Sequence, residues 1–144
     1  MEIRVYHTIP EEAKKIRETV FVQEQHFREE FDETDRAAVH LVLFEDGVPA
    51  GSCRFFQGET GEEYLLGRLA VQKSFRGRNF GACLVKRAEE EIRKEGGKVV
   101  RLHAQQRAMP FYEKQGYHSY GTVEYEEDCP HMWMKKELDG TQEI

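Results

Sequence analysis

No stretch of this 144-residue chain is apolar for long enough to span a bilayer. Its start also lacks the basic, apolar and small-residue order of a signal peptide. Both absences lead us to expect a cytoplasmic protein with no membrane partner. Cysteine is scarce: Cys53, Cys83 and Cys129 are odd in number, far apart and without any Cys-x-x-Cys. Reduced thiols suit that pattern better than a disulfide framework. The six histidines show no metal-ligand spacing with these cysteines, and Cys129-Pro130-His131 reads as a strand start, so no metal is expected. Neither a Gly-Lys-Ser/Thr phosphate loop nor a three-glycine dinucleotide fingerprint occurs. A net charge of −6 argues against nucleic acid as a partner. Repeats, low-complexity tracts and linkers are missing. With 39% hydrophobic and 11% aromatic residues, the chain reads as one globular domain over 1–144.

What is present concentrates in Leu69 to Ala82, where an apolar strand runs into a Gly- and Arg-rich turn and then straight into a helix. Six cations (Arg68, Lys73, Arg76, Arg78, Lys86, Arg87) and no acid lie between Arg68 and Arg87. That leaves fifteen of the 21 Lys and Arg against all 27 Asp and Glu elsewhere, a net −12. The first amides of a helix have no internal partner and sit at the positive end of its dipole, which suits phosphate oxygens. A basic island on a strand–turn–helix in an acidic chain points to an anionic cofactor.

The remaining pattern is alternating short strands and two clear helices. Ile3 to Tyr6 is a strand. Thr8 and Glu11 form a candidate capping box ahead of a helix whose apolar positions are Ala13, Ile16, Val20 and Phe21. Gln23 to Arg36 reads as an irregular or short-helical excursion. Strands at Val39–Phe44 and Gly51–Phe56 flank an Asp46-Gly47 hairpin turn, and Tyr64–Val71 makes a third, central strand. The helix from about Asn79 to Lys94 has an apolar stripe of Phe80, Cys83, Leu84, Ala88 and Ile92, stopped by Gly96-Gly97. A strand at Val99–Ala104 follows, and the intervening helix requires a parallel crossover. A short helix from about Arg107 to Gln115 precedes an antiparallel pair, Tyr117–Glu124 and His131–Leu138. The expected class is α/β (α+β): a mixed, splayed sheet of about seven strands with helices on both faces.

This order and its motifs resemble the GCN5-related N-acetyltransferase superfamily over nearly the whole chain. Arg76-Gly77-Arg78-Asn79-Phe80-Gly81 resembles the acyl-CoA pyrophosphate motif Arg/Gln-x-x-Gly-x-Gly/Ala, with Asn79 in place of the central glycine. Asn is among the few side chains that tolerate left-handed backbone, so the turn can survive. Gln105 to Tyr117 resembles the later motif Asn-x-x-Ala-x-x-x-Tyr-x-x-x-Gly-Phe/Tyr, with Gln105 replacing Asn. Val20-Phe21-Val22-Gln23-Glu24-Gln25, Gly67-Arg68-Leu69-Ala70-Val71 and Leu102-His103-Ala104-Gln105 look like a bacterial subgroup of mostly unassigned acceptor.

The resemblance implies the acyl-CoA N-acyltransferase fold and acetyl-CoA as cosubstrate. It places Leu69, Ala70 and Val71 on the pantetheine arm and thioester. Arg76, Gly77, Arg78, Asn79, Phe80, Gly81 and Ala82 would hold the pyrophosphate. Gln105, Ala108 and Phe111 would line the site, and Tyr112 would assist the departing thiolate. An alkyl amine near pKa ~10 must lose a proton before it attacks. Glu24 is set beside Tyr112 as the catalytic pair, with Glu63, His103 and Glu124 open as alternative bases, directly or through water. The acidic runs Glu29–Asp35 and Glu124–Asp128 fall, by resemblance, on the acceptor side, so the small amine or peptide acceptor is expected to carry positive charge. Monomer and homodimer both stay open. Two other readings share the fold: a non-catalytic acyl-CoA-binding module and an acyl-homoserine-lactone-synthase-like acyltransferase.

Overall fold

The computed structural model describes residues 1–28 and 31–138. Its strands are β1 (Glu2–Tyr6), β2 (Val39–Glu45), β3 (Val48–Gln57), β4 (Glu63–Val71), β5 (Val99–Gln105), β6 (His118–Glu126) and β7 (Cys129–Glu137). They form one sheet in the order β1-β2-β3-β4-β5-β7-β6. Only β4 and β5 run parallel, as the helical crossover between them demands. The α-helices are α1 (Glu11–Arg17), α2 (Thr34–Ala37), α3 (Phe80–Lys94) and α4 (Met109–Lys114). Alternation along β2 feeds both faces: Leu41 and Leu43 pack under α3, whereas Val42 and Phe44 pack with Ala13, Ile16 and Val20 of the first helix. The expected mixed sheet with two covered faces is therefore what forms. Among the described residues no helix is long and apolar enough to cross a membrane.

Both tight hairpins use left-handed residues in pairs. Asp46 and Gly47 have φ of 51° and 79°, and Glu127 and Asp128 have 48° and 70°. Paired positive φ is the geometry that matches strand twist across a two-residue loop. Helix α3 begins after Asn79, which takes φ 67° as the turn requires, and buries Phe80, Leu84, Val85, Ala88 and Ile92. Its stripe also includes Glu89, a position the hydrophobic pattern does not reveal. That carboxylate is satisfied inside the protein by the Tyr117 hydroxyl at 2.8 Å and the Lys136 ammonium at 2.9 Å.

The start of the chain corrects one expectation and refines another. Thr8 and Glu11 make no capping box, because Pro10 occupies the cap position and no side chain bonds the free amides. The irregular and short-helical segment expected from Gln23 does form among the described residues, with α2 at its end, but only beyond Glu24, which the first helix reaches unbroken. That helix widens into a π-helical stretch over Glu18–Glu24, seen in the Gln25 amide reaching the Val20 carbonyl at 3.0 Å. The wider winding keeps both Val20 and Phe21 buried against the sheet.

A bulge and a splay then open the centre of the sheet. Ser52 faces Ala70, but Arg54 faces Gly67, so β4 carries one extra residue at Arg68–Leu69. Arg68 takes φ 52° to accommodate it, and such a bulge bends its strand. On the other side β4 and β5 pair only at Glu63–Val99, Tyr64–Val100 and Leu65–Arg101.

Candidate active site

Beyond Leu65 and Arg101 the two strands part, and a cavity of about 360 Å³ fills the wedge. Leu69 lines it from β4, and Gln105, Ala108, Phe111 and Tyr112 line it from the end of β5 and from α4. The parting leaves the later half of β4 without a β5 partner, so its backbone groups on that edge are open to a ligand. Ala70 points the other way, into the core under the first helix. Val71 packs partly into the opposite core, and its carbonyl accepts from Nε of Arg76 at 2.9 Å.

The turn Arg76–Ala82 stands beside this cavity. Gly77 at φ 80° and Asn79 at φ 67° reverse the chain so that α3 starts at Phe80. The amides of Phe80, Gly81 and Ala82 fall in the first helical turn, where no internal acceptor exists, and no side chain caps them. A Cβ placed on Gly77 would meet nothing within 4 Å, so the turn is open to an approaching group. At Gly81 a Cβ would sit 3.3 Å from Phe111, which ties the turn physically to the cavity wall. Arg78 lies over the Phe80 ring at 4.9 Å and is paired with Glu45. These residues fit a pyrophosphate.

Tyr112 is 9% exposed, with its ring packed against Phe111 and Tyr117. Burial, aided by nearby Cys53, pushes its hydroxyl well above the usual tyrosine range. That shift keeps the hydroxyl in its protonated form. Burial likewise pushes the Cys53 thiol up to about 12, which leaves it a poor nucleophile.

Glu24 is not brought into the cavity. Both of its oxygens are taken by Arg76, at 2.7 and 2.8 Å, and this hydrogen bonding holds its carboxyl below the usual range. A carboxylate so committed is a weak proton acceptor. Glu63 pairs with Arg101 at 2.9 Å at the closed end of the wedge. His103 does line the cavity, with Glu126 bonded to its Nδ1.

Within the first acidic run Asp35 is buried among internal cations, whereas the Asp32 and Glu33 side chains are exposed, at 42% and 83%. Arg17 and Arg54 both bind Asp35, at 2.8 and 2.7 Å, and Arg54 also binds Asp32 at 2.7 Å. Arg68 reaches Asp32 at 3.3 Å. Asp35 and Asp32 therefore tie their loop to β3 and β4, with Asp32 and Glu33 still facing solvent. Glu29 and Glu30 lie outside the described residues. Sequence reasoning missed Arg17, which is buried although its neighbours look like a solvated face, and Arg54, a buried cation in a largely apolar strand. Their partners come from 18 and 19 residues away, and no local pattern signals that.

Cofactor-type turn, splayed parallel strands and cavity donor together define an acyl-CoA-type acyltransferase. The model of the acetyltransferase (GNAT) domain family matches residues 7–138, and the chain belongs to that family. A Bacillus subtilis protein named as the uncharacterized N-acetyltransferase YjcF is 33% identical over 129 residues, covering 88% of this chain and 91% of its own length. The crystal structure of Escherichia coli ElaA superposes with a TM-score of 0.83 at 25% identity, over 94% of this chain and 98% of that one. An aminoglycoside 6′-N-acetyltransferase complexed with coenzyme A shares the fold with a TM-score of 0.75 at 18% identity, over 96% and 98%.

Proposed function

We propose that the protein transfers the acetyl group of acetyl-CoA to a primary amine, the amine attacking the thioester directly. The observation that carries this reading is the parting of β4 from β5 beyond Leu65, which sets Leu69 and Tyr112 on one cavity beside the Arg76–Ala82 turn. A fold neighbour solved with coenzyme A supports the choice of cosubstrate. When bound, acetyl-CoA supplies the activated acyl carbon. The protein's own contribution is binding, orientation and charge placement. Amides from Gly77 to Ala82 hold the pyrophosphate, with Arg76 and Arg78 adding positive charge. The open edge of β4 at Leu69–Val71 carries the pantetheine arm and aims a backbone N–H at the oxygen where charge develops. Tyr112 donates a hydrogen bond to the departing sulfur, while Gln105, Ala108 and Phe111 shape the wall.

Two measurements test this. Calorimetric titration with CoA and acetyl-CoA should give saturable binding. Thiol release from acetyl-CoA should depend on an added amine from a panel of polyamines, amino sugars, aminoglycosides and peptide N-termini. Binding without release for any amine would instead identify an acyl-CoA-binding module, and no binding would overturn the assignment.

A further inference from the structure

Three neighbouring strands bring together a group of side chains for which the reading above has no use. Strand register does it. His103 of β5 pairs directly with Trp133 of β7, and His131 of β7 pairs with Glu124 of β6. The His103 ring stacks on Trp133 at 4.5 Å between centroids and stands 5.0 Å from the His131 ring. Glu126, two residues along β6 and so on the same face as Glu124, bonds Nδ1 of His103 with one oxygen. Its other oxygen is 3.9 Å from Nε2 of His131. His103, His131 and Glu126 all line the cavity.

Hydrogen-bond chemistry assigns the nitrogens. Nδ1 of His131 is 2.9 Å from the Cys129 carbonyl, which can only accept, so Nδ1 carries the hydrogen. Nδ1 of His103 meets a carboxylate, and the same argument puts its hydrogen there. Each neutral ring then keeps its lone pair on Nε2. For His103 that atom is buried, makes no hydrogen bond and lies 3.5 Å from an oxygen of Glu124. His103 thus has one carboxylate at each nitrogen, and a proton arriving on the ring meets an anion on either side. The cation would also lie against the Trp133 face, which attracts it. The opposing charge nearby is Arg101, whose guanidinium is 5.0 Å from the Trp133 ring, and the neutral His131 ring stands beside it.

The geometry points to His103 and Glu126 as the couple that takes the proton from the acceptor's ammonium, with His131 and Trp133 as positioning residues. The inference rests on the N-acetyltransferase reading. The alkyl ammonium gives one proton to the couple, which becomes protonated once. The freed nitrogen pair forms the C–N bond as the C–S bond breaks and its electron pair leaves on sulfur. The second nitrogen proton ends on the thiol. Glu124 and Glu126, about half-exposed at the rim, return the couple's proton to water.

The test compares H103Q and E126Q with the wild type, using acetyl-CoA and two nucleophiles: the best alkyl amine of the panel, and hydroxylamine, which is largely unprotonated at neutral pH. Both substitutions should slow the alkyl amine by about 100-fold or more. They should change hydroxylamine turnover only a few-fold and leave the KM for acetyl-CoA in place. A second readout needs no substrate. Trp133 is the single tryptophan and stacks on the His103 ring, so its emission should change in H103Q and stay close to wild type in a variant away from this stack. If H103Q fails to fold, E126Q carries the comparison, since Glu126 is at the surface. Equal loss with both nucleophiles, or no loss with either, overturns the couple while the acetyltransferase reading stands. A wild type inactive with every amine overturns that reading, and the couple with it.

Discussion

Glu24 grips Arg76 with both carboxylate oxygens, at 2.7 and 2.8 Å, and so ties the π-helical end of the first helix to the turn before α3. A pyrophosphate that recruits Arg76 has to compete with that carboxylate. Both side chains are more than a third exposed, and solvated pairs contribute about 0.2–1 kcal/mol. E24Q should therefore tighten CoA binding by at most about fivefold, whereas R76A weakens it. Calorimetry decides between this role and catalysis. If Glu24 were the base, E24Q would leave CoA affinity alone and collapse turnover.

Element order was legible because each piece carried its own local signal. Asp46-Gly47 announced a hairpin, and the α3 stripe with its Gly96 stop announced a crossover between parallel strands. Even Asn79 in the turn was readable, since few other residues accept its backbone. What stayed hidden depends on register and on distant partners. Nothing near Arg68 says that β4 bulges there, because the extra residue exists only relative to β3. Arg17 and Glu89 look like solvated helix positions until Asp35 in one case, and Tyr117 and Lys136 in the other, arrive from elsewhere in the chain. His103 was one candidate among four for the same reason: its pairing with Trp133 and its two carboxylates come from strands whose alignment the sequence does not state.

Gly81 separates cofactor binding from cavity shape. A Cβ there would lie 3.3 Å from Cζ of Phe111, a ring that can tilt. G81A should keep CoA affinity within a few-fold and raise the acceptor's KM by pressing Phe111 into the cavity. G81E adds a negative charge against the pyrophosphate and should abolish CoA binding in a folded protein, as checked by circular dichroism and titration. Unchanged CoA affinity in folded G81E would remove the turn from the binding site.

In the proposed reaction Tyr112 acts by hydrogen bonding rather than by full proton transfer. An ordinary phenol near pKa ~10 giving its proton to a thiolate near ~8.5 already runs uphill by about 2 kcal/mol. Burial raises Tyr112 further still and widens that gap. Y112F should lower kcat by about ten- to several-hundred-fold, with CoA affinity unchanged. Because the hydroxyl stays protonated at any working pH, whatever alkaline limb the wild-type profile shows should persist in Y112F. Wild-type turnover in single-turnover experiments would make Tyr112 a packing residue.

Asp35 governs stability in acid. Burial opposes its ionisation, but hydrogen bonds from Arg17 and Arg54 outweigh that and hold its carboxyl far below the usual range. Asp32 is lowered too, mainly by Arg54. A depressed folded pKa gives stabilisation that is complete above the unfolded value near ~3.9 and is lost as pH falls from there through the folded pKa. Removing one member of a buried pair leaves its partner uncompensated at a cost of about 3–5 kcal/mol, and Arg17 here is almost fully enclosed. D35N should thus lose roughly that much at pH 7 by urea denaturation. Below ~4 the gap to the wild type should narrow, because the wild type sheds the same stabilisation on acidification. Equal wild-type and D35N stabilities at pH 7, or a gap that stays constant down to pH ~3, would show that the Arg17–Asp35–Arg54 cluster does not hold this loop against the sheet.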